Sequence, residues 1–349
     1  MRHCLILAGG SGTRLWPFST AGLPKQLVPL LQGRSLLDLA VARATSVVPA
    51  ERVWLGAGQQ LRAAVSSVEG LRADRVVVEP SGRDTLPAAA LGCAVIAAND
   101  PDAVVAVLTA DHLIEPLDAF ASTLTEAFAL AESGANTLVT FGVVPDAPAT
   151  EFGYLELGDP LTGSARVVAS FREKPDLETA ERFVAQGALW NSGMFVWRAA
   201  TLLAAVREFE PETAALVERV AAGDVAAWDG IPRRSVDYGV MEPAAAADRF
   251  TVAALPLTAR WRDVGSWPSY GEALGPDVDG NAVGARAILH DSRDCVVTSS
   301  DPAHLVALIG CEGLVVVHTP TATLVMPADQ AQRVKELHGL VAAQAPELA

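Results

Sequence analysis

The sequence predicts an α/β fold: a doubly wound sheet, followed by a small β-rich part near the C-terminal end. Three observations lead there. Short apolar, β-branched runs alternate with segments of helical period through the first half of the chain. Each run is closed by Gly, Pro or a polar residue, as strands buried on both faces are. Beyond the turn-rich stretch GPDVDGN, short strands replace the helical segments.

The elements justify this in order. Strands are expected at Cys4–Ala8, Arg52–Leu55, Arg75–Glu79, Val104–Leu108 and Thr137–Val143. Helices are expected between them at Ser35–Val48, Gln59–Ser67, Thr85–Ala98 and Leu117–Ser133, the second having the weakest pattern. Repeated strand–helix–strand units imply helices on both faces of one sheet. Ligands of such sheets bind beyond the carboxyl ends of the strands, where the strand order reverses. After Pro145 the pattern changes to a hairpin turning around Gly158–Gly163. A helix over Leu177–Gln186, a strand in LWNSGMFVWRA leading into helices to about Gly223, and a strand at Phe250–Leu257 follow. The terminal part reads as strands at Ala287–His290, Cys295–Ser299, Leu305–Ile309, Gly313–His318 and Ala322–Val325, closed by a helix from Ala328 to Gln344. The expected division is a main domain over 1–275 and a β-helix-like domain over 276–349.

Composition bounds the partners. The 349 residues are half hydrophobic and carry a formal net charge of −15. Such a chain repels nucleic acid and anionic lipid, so neither is an expected partner. An anionic ligand must be held by a local cationic site working against the global field. Cys4, Cys93, Cys295 and Cys311 form no C-x-x-C pair and read as core thiols of a reducing compartment. The apolar run in MRHCLILAGG is too short for a signal peptide, and no long apolar stretch follows. A cytoplasmic location is expected.

The first strand runs into GGSGTRL. Glycines there permit positive φ and let consecutive N–H groups approach an anion. A dinucleotide loop would place a third glycine where Leu15 stands, and a Walker loop would end in Gly-Lys-Ser/Thr. Neither pattern is met. The loop does carry Arg14, and Lys25 follows in LPKQ. Spacing alone leaves two readings open, a phosphate loop of another kind and a structural glycine turn. An NAD-dependent oxidoreductase is the rival enzyme class, and the missing third glycine speaks against it.

The segment LAGGSGTRLWPFSTAGLPKQL resembles the signature of the sugar-phosphate nucleotidyltransferases. Its Trp-Pro and Pro-Lys-Gln are similar to the mannose-1-phosphate guanylyltransferase (GDP-mannose pyrophosphorylase) branch. EPSGRDTLPAAA, LTADHLI, EFGYLE, FREKP, WNSGMFVW, SVDYGVMEP and RWRDVGSW follow in matching order, as far as Trp267. The tail DGNAVGARAILHDSRDCVVTSSD is similar to the same branch. The resemblance implies the nucleotidyltransferase fold, a Rossmann-like doubly wound mixed sheet. It also implies an enzyme that transfers GMP from GTP to mannose 1-phosphate, releasing pyrophosphate. Close variants would use heptose or glucose 1-phosphate. A nucleotide-sugar-binding regulatory relative is the non-enzymatic alternative, and it would be expected to have lost Arg14, Lys25, Asp111 or Asp263.

Both reactants of that reaction are polyanions, so catalysis is positioning and charge stabilisation, with no covalent nucleophile. By resemblance, Arg14 holds the leaving phosphates and Lys25 stabilises the α-phosphate. Ala8, Gly9, Gly10, Gly12, Thr13, Arg83 and Thr85 are the expected nucleotide contacts. Asp111, at the carboxyl end of its strand, and Asp263 are implied as the pair that holds Mg²⁺, a hard ion bound by few carboxylates and completed by phosphate and water. His112 is read as structural or orienting, because the attacking phosphate is already ionised. Glu173, Lys174, Asn191 and Gly153 are implied at the sugar phosphate: Lys174 on its phosphate, Glu173 and Asn191 on hydroxyls, Gly153 for close approach. Neighbouring side chains on a strand point to opposite faces, so one of Glu173 and Lys174 is expected to face the site fully and the other partly, unless the strand kinks at Pro175. Tyr154 reads as packing. Asp84 stands where Asn is common in the family, and either residue caps a helix.

Three departures are evident. Thr20-Ala21-Gly22 replaces a basic residue common in the family, which loosens the expected loop before Lys25. His318 and Thr321 stand where Asp is common. The chain also has no room for the phosphomannose isomerase domain that many bacterial relatives carry, so a single activity is expected. A homodimer is expected from the family and from the apolar C-terminal strands.

Overall fold

The computed structural model describes residues 1–349 except 11, 32, 66 and 67 and the side chains of 63 and 64. The chain forms two units: residues 1–9, 40–110 and 114–261, and residues 10–39, 111–113 and 262–349.

The first unit is built on a nine-stranded sheet. Its strands are β1 (Arg2–Leu7), β2 (Val53–Gly58), β3 (Val76–Glu79), β4 (Val104–Thr109), β6 (Thr137–Val143), β7 (Tyr154–Pro160), β8 (Arg166–Arg172), β9 (Leu189–Arg198) and β10 (Thr251–Pro256). β5 (His112–Glu115) lies outside this sheet and pairs with β11 (Arg260–Asp263). The order in the large sheet is β3-β2-β1-β4-β9-β6-β10-β8-β7. β1, β2, β3 and β4 pair in parallel, as do β6 and β10, while β9 runs antiparallel to both β4 and β6. The sheet is therefore mixed.

Helices α1 (Leu36–Thr45), α2 (Gln59–Ala64), α3 (Thr85–Asn99) and α4 (Leu117–Ser133) lie where the periodicity predicts them. The last two residues expected in α2, 66 and 67, lie outside the described residues. α5 (Leu177–Ala185), α6 (Ala199–Phe209), α7 (Pro211–Ala221) and α8 (Glu242–Ala245) complete the unit. Its core joins Leu5, Val105, Val107 and Trp197 of the sheet to Leu86, Ala89, Cys93 and Ile96 of α3. α3 shows little amphipathic pattern because nine of its residues are buried.

The strand order reverses between β1 and β4, and their register pairs Leu7 with Thr109. Both strands end level there. The segments that follow, 10–39 and 111–113, belong to the second unit.

In that second unit α9 (Trp267–Leu274) leads to a four-stranded sheet ordered β12 (Ala282–Gly284), β14 (Val296–Ser299), β16 (Leu314–His318) and β17 (Thr323–Pro327). β13 (Arg286–His290) and β15 (Leu305–Ile309) form a separate parallel pair. The period-2 alternation explains the unbroken apolar runs. Val315 and Val317 pack with Trp16, Trp267 and Leu324, while Val316 between them packs with Cys295, Val297 and Val306. The central strands β14 and β16 are buried on both faces, while the edge strand β17 exposes alternate residues. A 3₁₀ turn (Ala328–Arg333) and α10 (Val334–Gln344) close the chain where one continuous helix was expected.

Candidate active-site residues

The chain leaves β1 through Ala8, which is buried and donates its N–H to Gly56 O at 2.8 Å. Gly9 and Gly10 have nothing within 4 Å of where a Cβ would stand, and Gly10 has φ +93°. The backbone is therefore open to a ligand. Gly12 has a different reason to be glycine. It adopts φ +65°, and a Cβ there would lie 2.7 Å from Lys25 Cβ. Its absence lets the Lys25 stem lie against the loop, leaving that side chain buried. Ser19 Oγ donates to Gly12 O, and Thr13–Leu15 form one 3₁₀ turn. Thr20 and Leu23 exchange two backbone hydrogen bonds, so the Thr20-Ala21-Gly22 segment is a closed turn where a loosened loop was expected.

Lys25 Nζ donates to Asp111 Oδ2 at 2.5 Å. Asp111 stands two residues beyond the end of β4, and its carbonyl accepts the N–H of Val264 at 3.1 Å. That bond brings the next carboxylate alongside. Ligand atoms of Asp111, His112 and Asp263 all lie within 4.8 Å of one another. Gly265 keeps the neighbourhood open: a Cβ there would sit 3.2 Å from Asp263 Oδ1 and 3.3 Å from Arg14. Arg14 donates to Gln332 Oε1 at 3.1 Å.

The electrostatics separate the two carboxylates. Burial pushes Asp111 up, but the Lys25 ammonium and then His112 outweigh it and hold the group down to about 2. Asp263 is pushed up by burial and by the Asp111 charge, against His112, Lys25 and Arg14. Two hard oxygen donors that repel each other beside one imidazole fit a small divalent cation completed by ligand oxygens.

A second cluster forms in the first unit. β8 ends at Arg172, Glu173 is buried, and Lys174 turns the chain at φ +44°. The left-handed turn lets both neighbours act together: Lys174 Nζ donates to Glu173 Oε1 at 2.8 Å. A Cβ at Gly153 would lie 2.5 Å from Glu173 Oε2, and Gly153 O accepts the Asn191 N–H at 2.8 Å. The Asn191 amide is held at both ends. Thr140 Oγ1 donates to its Oδ1, and its Nδ2 donates to Asp237 Oδ1, both at 2.7 Å. Burial, then the Glu173 charge, push Asp237 up to about 7 against Lys174 and Asn191. Neither Thr140 nor Asp237 was selected from sequence. Asp237 lies in SVDYGVMEP, a stretch with a resemblance but no assigned chemistry, and nothing in the sequence marks Thr140.

Arg83 and Thr85 are engaged within the same unit. Arg83 donates to Asp229 O at 2.9 Å, and Thr85 Oγ1 accepts the Val236 N–H at 3.0 Å. Asp84 caps α3, its Oδ1 accepting the Thr85 N–H. Tyr154 stacks on Phe183 and donates to Ala149 O.

A mixed α/β sheet with a glycine loop, a Lys–Asp pair and a second Asp beside it defines a nucleotidyltransferase. The chain belongs to the nucleotidyl transferase family, whose model matches residues 3–278, and residues 285–339 match the MannoseP isomerase/GMP-like beta-helix domain. It is 38% identical over 351 residues to the xanthan biosynthesis protein XanB of Xanthomonas campestris pv. campestris, spanning 95% of this chain and 72% of that protein. It is 35% identical to the mannose-1-phosphate guanylyltransferase of Escherichia coli K12, with the same coverage. The crystal structure of a mannose-1-phosphate geranyltransferase from Thermus thermophilus superposes with a TM-score of 0.88 at 32% identity, covering 97% of this chain and 99% of that one. A UDP-glucose pyrophosphorylase complexed with UDP-glucose, at 17% identity and a TM-score of 0.51, shares the fold. The chain is therefore an enzyme of this family.

Proposed function

We propose that the enzyme transfers GMP from GTP to α-D-mannose 1-phosphate, yielding GDP-mannose and pyrophosphate. The observation that carries this reading is the buried Lys25 ammonium on Asp111, with Asp263 beside it and Arg14 next to Gly265. The name of the E. coli relative, mannose-1-phosphate guanylyltransferase, supports the choice of sugar phosphate and nucleotide.

In this reading an oxygen of the sugar phosphate attacks the α-phosphorus in line, and pyrophosphate leaves. Arg14 binds the leaving phosphates through its planar fork, and Lys25 holds positive charge at the α-phosphate as negative charge builds there. The glycine loop Gly9, Gly10, Gly12 and Thr13 offers N–H groups to the triphosphate. Arg83 and Thr85 hold the segment assigned to the nucleoside. Lys174 neutralises the sugar phosphate, and Glu173 and Asn191 take hydroxyls beside Gly153, whose lack of a side chain makes room for the Glu173 carboxylate. Asp111 and Asp263 would hold Mg²⁺, which when bound supplies Lewis-acid neutralisation of phosphate charge.

The same reading assigns catalysis to residues 1–275 and a supporting role to 276–349. A homodimer is part of it, supported by Ile288, Leu305 and Ile309, which remain exposed on β13 and β15. A cytoplasmic location accords with it. Among the described residues no helix is long and apolar enough to cross a membrane.

The test is pyrophosphate release with Mg²⁺, with each nucleoside triphosphate crossed against mannose, glucose and heptose 1-phosphates. Release confined to GTP with mannose 1-phosphate is the expected result. Turnover with another pair would replace the named substrates. Silence with folded, GTP-binding protein would favour a regulatory relative.

A further inference from the structure

The Asn191 amide sits in a hydrogen-bond chain that can be completed in two ways. Thr140 Oγ1 lies 2.7 Å from Asn191 Oδ1 and 3.2 Å from Met194 O, yet a hydroxyl has one proton to give. With Asp237 ionised, Asn191 Nδ2 donates to Asp237 and Thr140 gives its proton to Asn191 Oδ1. With Asp237 protonated, its hydroxyl donates to the amide oxygen of an Asn191 rotated by half a turn. The rotated NH₂ then donates to Thr140 Oγ1, and the Thr140 proton passes to Met194 O. Both arrangements satisfy every member with the same heavy-atom positions, because amide oxygen and nitrogen are nearly isosteric.

Each arrangement leaves one N–H and one lone pair of Asn191 for a ligand, and the two exchange places between them. On the reading of this cluster as the sugar site, we propose that Asp237 is a positioning residue whose proton sets the orientation of the Asn191 amide and hence the hydroxyl pattern accepted there.

The surroundings fit that role. Asn191 is buried, so its amide does not re-solvate when it turns. The charged groups that act on Asp237 are Glu173 and Lys174, with Tyr238 next in the chain. Glu173 favours the protonated form and Lys174 the ionised one, so a sugar phosphate drawing Lys174 away shifts Asp237 toward the proton. Asp237 opens a wide helical turn over Asp237–Met241, entered through the Val236 N–H held by Thr85 Oγ1. That anchor lies in the segment assigned to the nucleoside. Nucleotide-side and sugar-side residues therefore share one tether.

Two readouts test the proposal. The first is independent of catalysis: the Asn191 side-chain amide resonances of the ligand-free protein, followed by NMR over the pH range around 7. They are expected to titrate in wild type and to be pH-invariant in Asp237→Asn, which has no proton to exchange. Invariant resonances in wild type would overturn the proposal. The second is steady-state kinetics. Asp237→Ala is expected to raise KM for mannose 1-phosphate about 10- to 100-fold, the loss of one or two oriented hydrogen bonds, with KM for GTP within about twofold as the fold check. Thr140→Val is expected to move the same parameter in the same direction.

The ratio of wild-type to Asp237→Asn kcat/KM for the sugar phosphate should change about tenfold across that pH range. The titration of the substrate's own phosphate is common to both proteins and cancels. Unchanged sugar-phosphate KM in Asp237→Ala, with wild type active, would overturn the positioning role. An inactive wild type whose Asn191 amide still titrates would instead refute the proposed reaction and leave the amide switch standing.

Discussion

Three carboxylates in this molecule, Glu79 buried and Asp111 and Asp237 half-buried, differ in what acts on them. Asp111 meets the Lys25 ammonium and is held down to about 2 despite burial. Asp237 meets an amide, with Glu173 as well as Lys174 nearby, and is pushed up to about 7. Glu79, at the end of β3, is pushed up to about 7 by burial alone. Burial acts in one direction on all three, so the sign of the net shift is set by the partner. A carboxylate beside an ammonium stays charged and suits a hard cation. One beside an amide is left able to hold a proton at neutral pH.

The largest effect is expected at Asp111. Asp111→Asn keeps the shape and removes the charge, and it should lower kcat/KM by about 10³-fold, the scale of losing a metal-holding group. Pyrophosphate release at limiting Mg²⁺ measures this, and near-normal turnover would remove the metal assignment.

Glu79 supplies the next largest effect. Its unfolded carboxyl titrates at 4.5 and its folded one at about 7. The folded state therefore holds the extra proton between those values. Stability is fully present below the lower value and is lost as pH rises through the upper one, by about 3 kcal/mol for this shift of roughly 2.5 units. Asp237, raised from 3.8, contributes with the same sign. Urea unfolding of the ligand-free protein from pH 5 to 8 should show the fall, and Glu79→Gln should flatten it by about that amount.

Gly12→Ala sharpens the contrast from the backbone side. It must hold φ +65° and displace Lys25 Cβ, at a cost of about 1–3 kcal/mol in thermal unfolding. Turnover should fall with it, because the displaced stem carries the ammonium on Asp111. The smallest effect is expected at Gln332→Ala, which frees Arg14 from an exposed hydrogen bond. KM for GTP should rise about two- to threefold with kcat unchanged, in keeping with a bond worth under about 1 kcal/mol at the surface.

Legibility followed the range of the interactions. The β1 loop, Arg14, Lys25 and Asp111 are visible in sequence because glycines, charges and strand ends form local patterns, whereas Asp263 was picked out only by the family resemblance. The alternating burial of Val315, Val316 and Val317 is likewise written in consecutive residues. The fate of the pair Glu173–Lys174 was only half visible. Strand alternation put them on opposite faces, and the left-handed turn at Lys174 reunited them. That turn depends on tertiary fit and has no composition signal.

Read alone, the sequence specifies the alternation of strands and helices, a glycine-rich loop after the first strand, and the cationic residue types suited to polyanions. Each arises from periodicity or from chemistry within a few neighbours. Tertiary structure alone decided that Asn191 lies between Thr140, 51 residues away, and Asp237, 46 residues away. It also decided that Asp111 faces a lysine while Asp237 faces an amide. Ionisation and side-chain orientation depend on desolvation and on groups brought together across the sheet, and no local pattern encodes which distant residue will arrive.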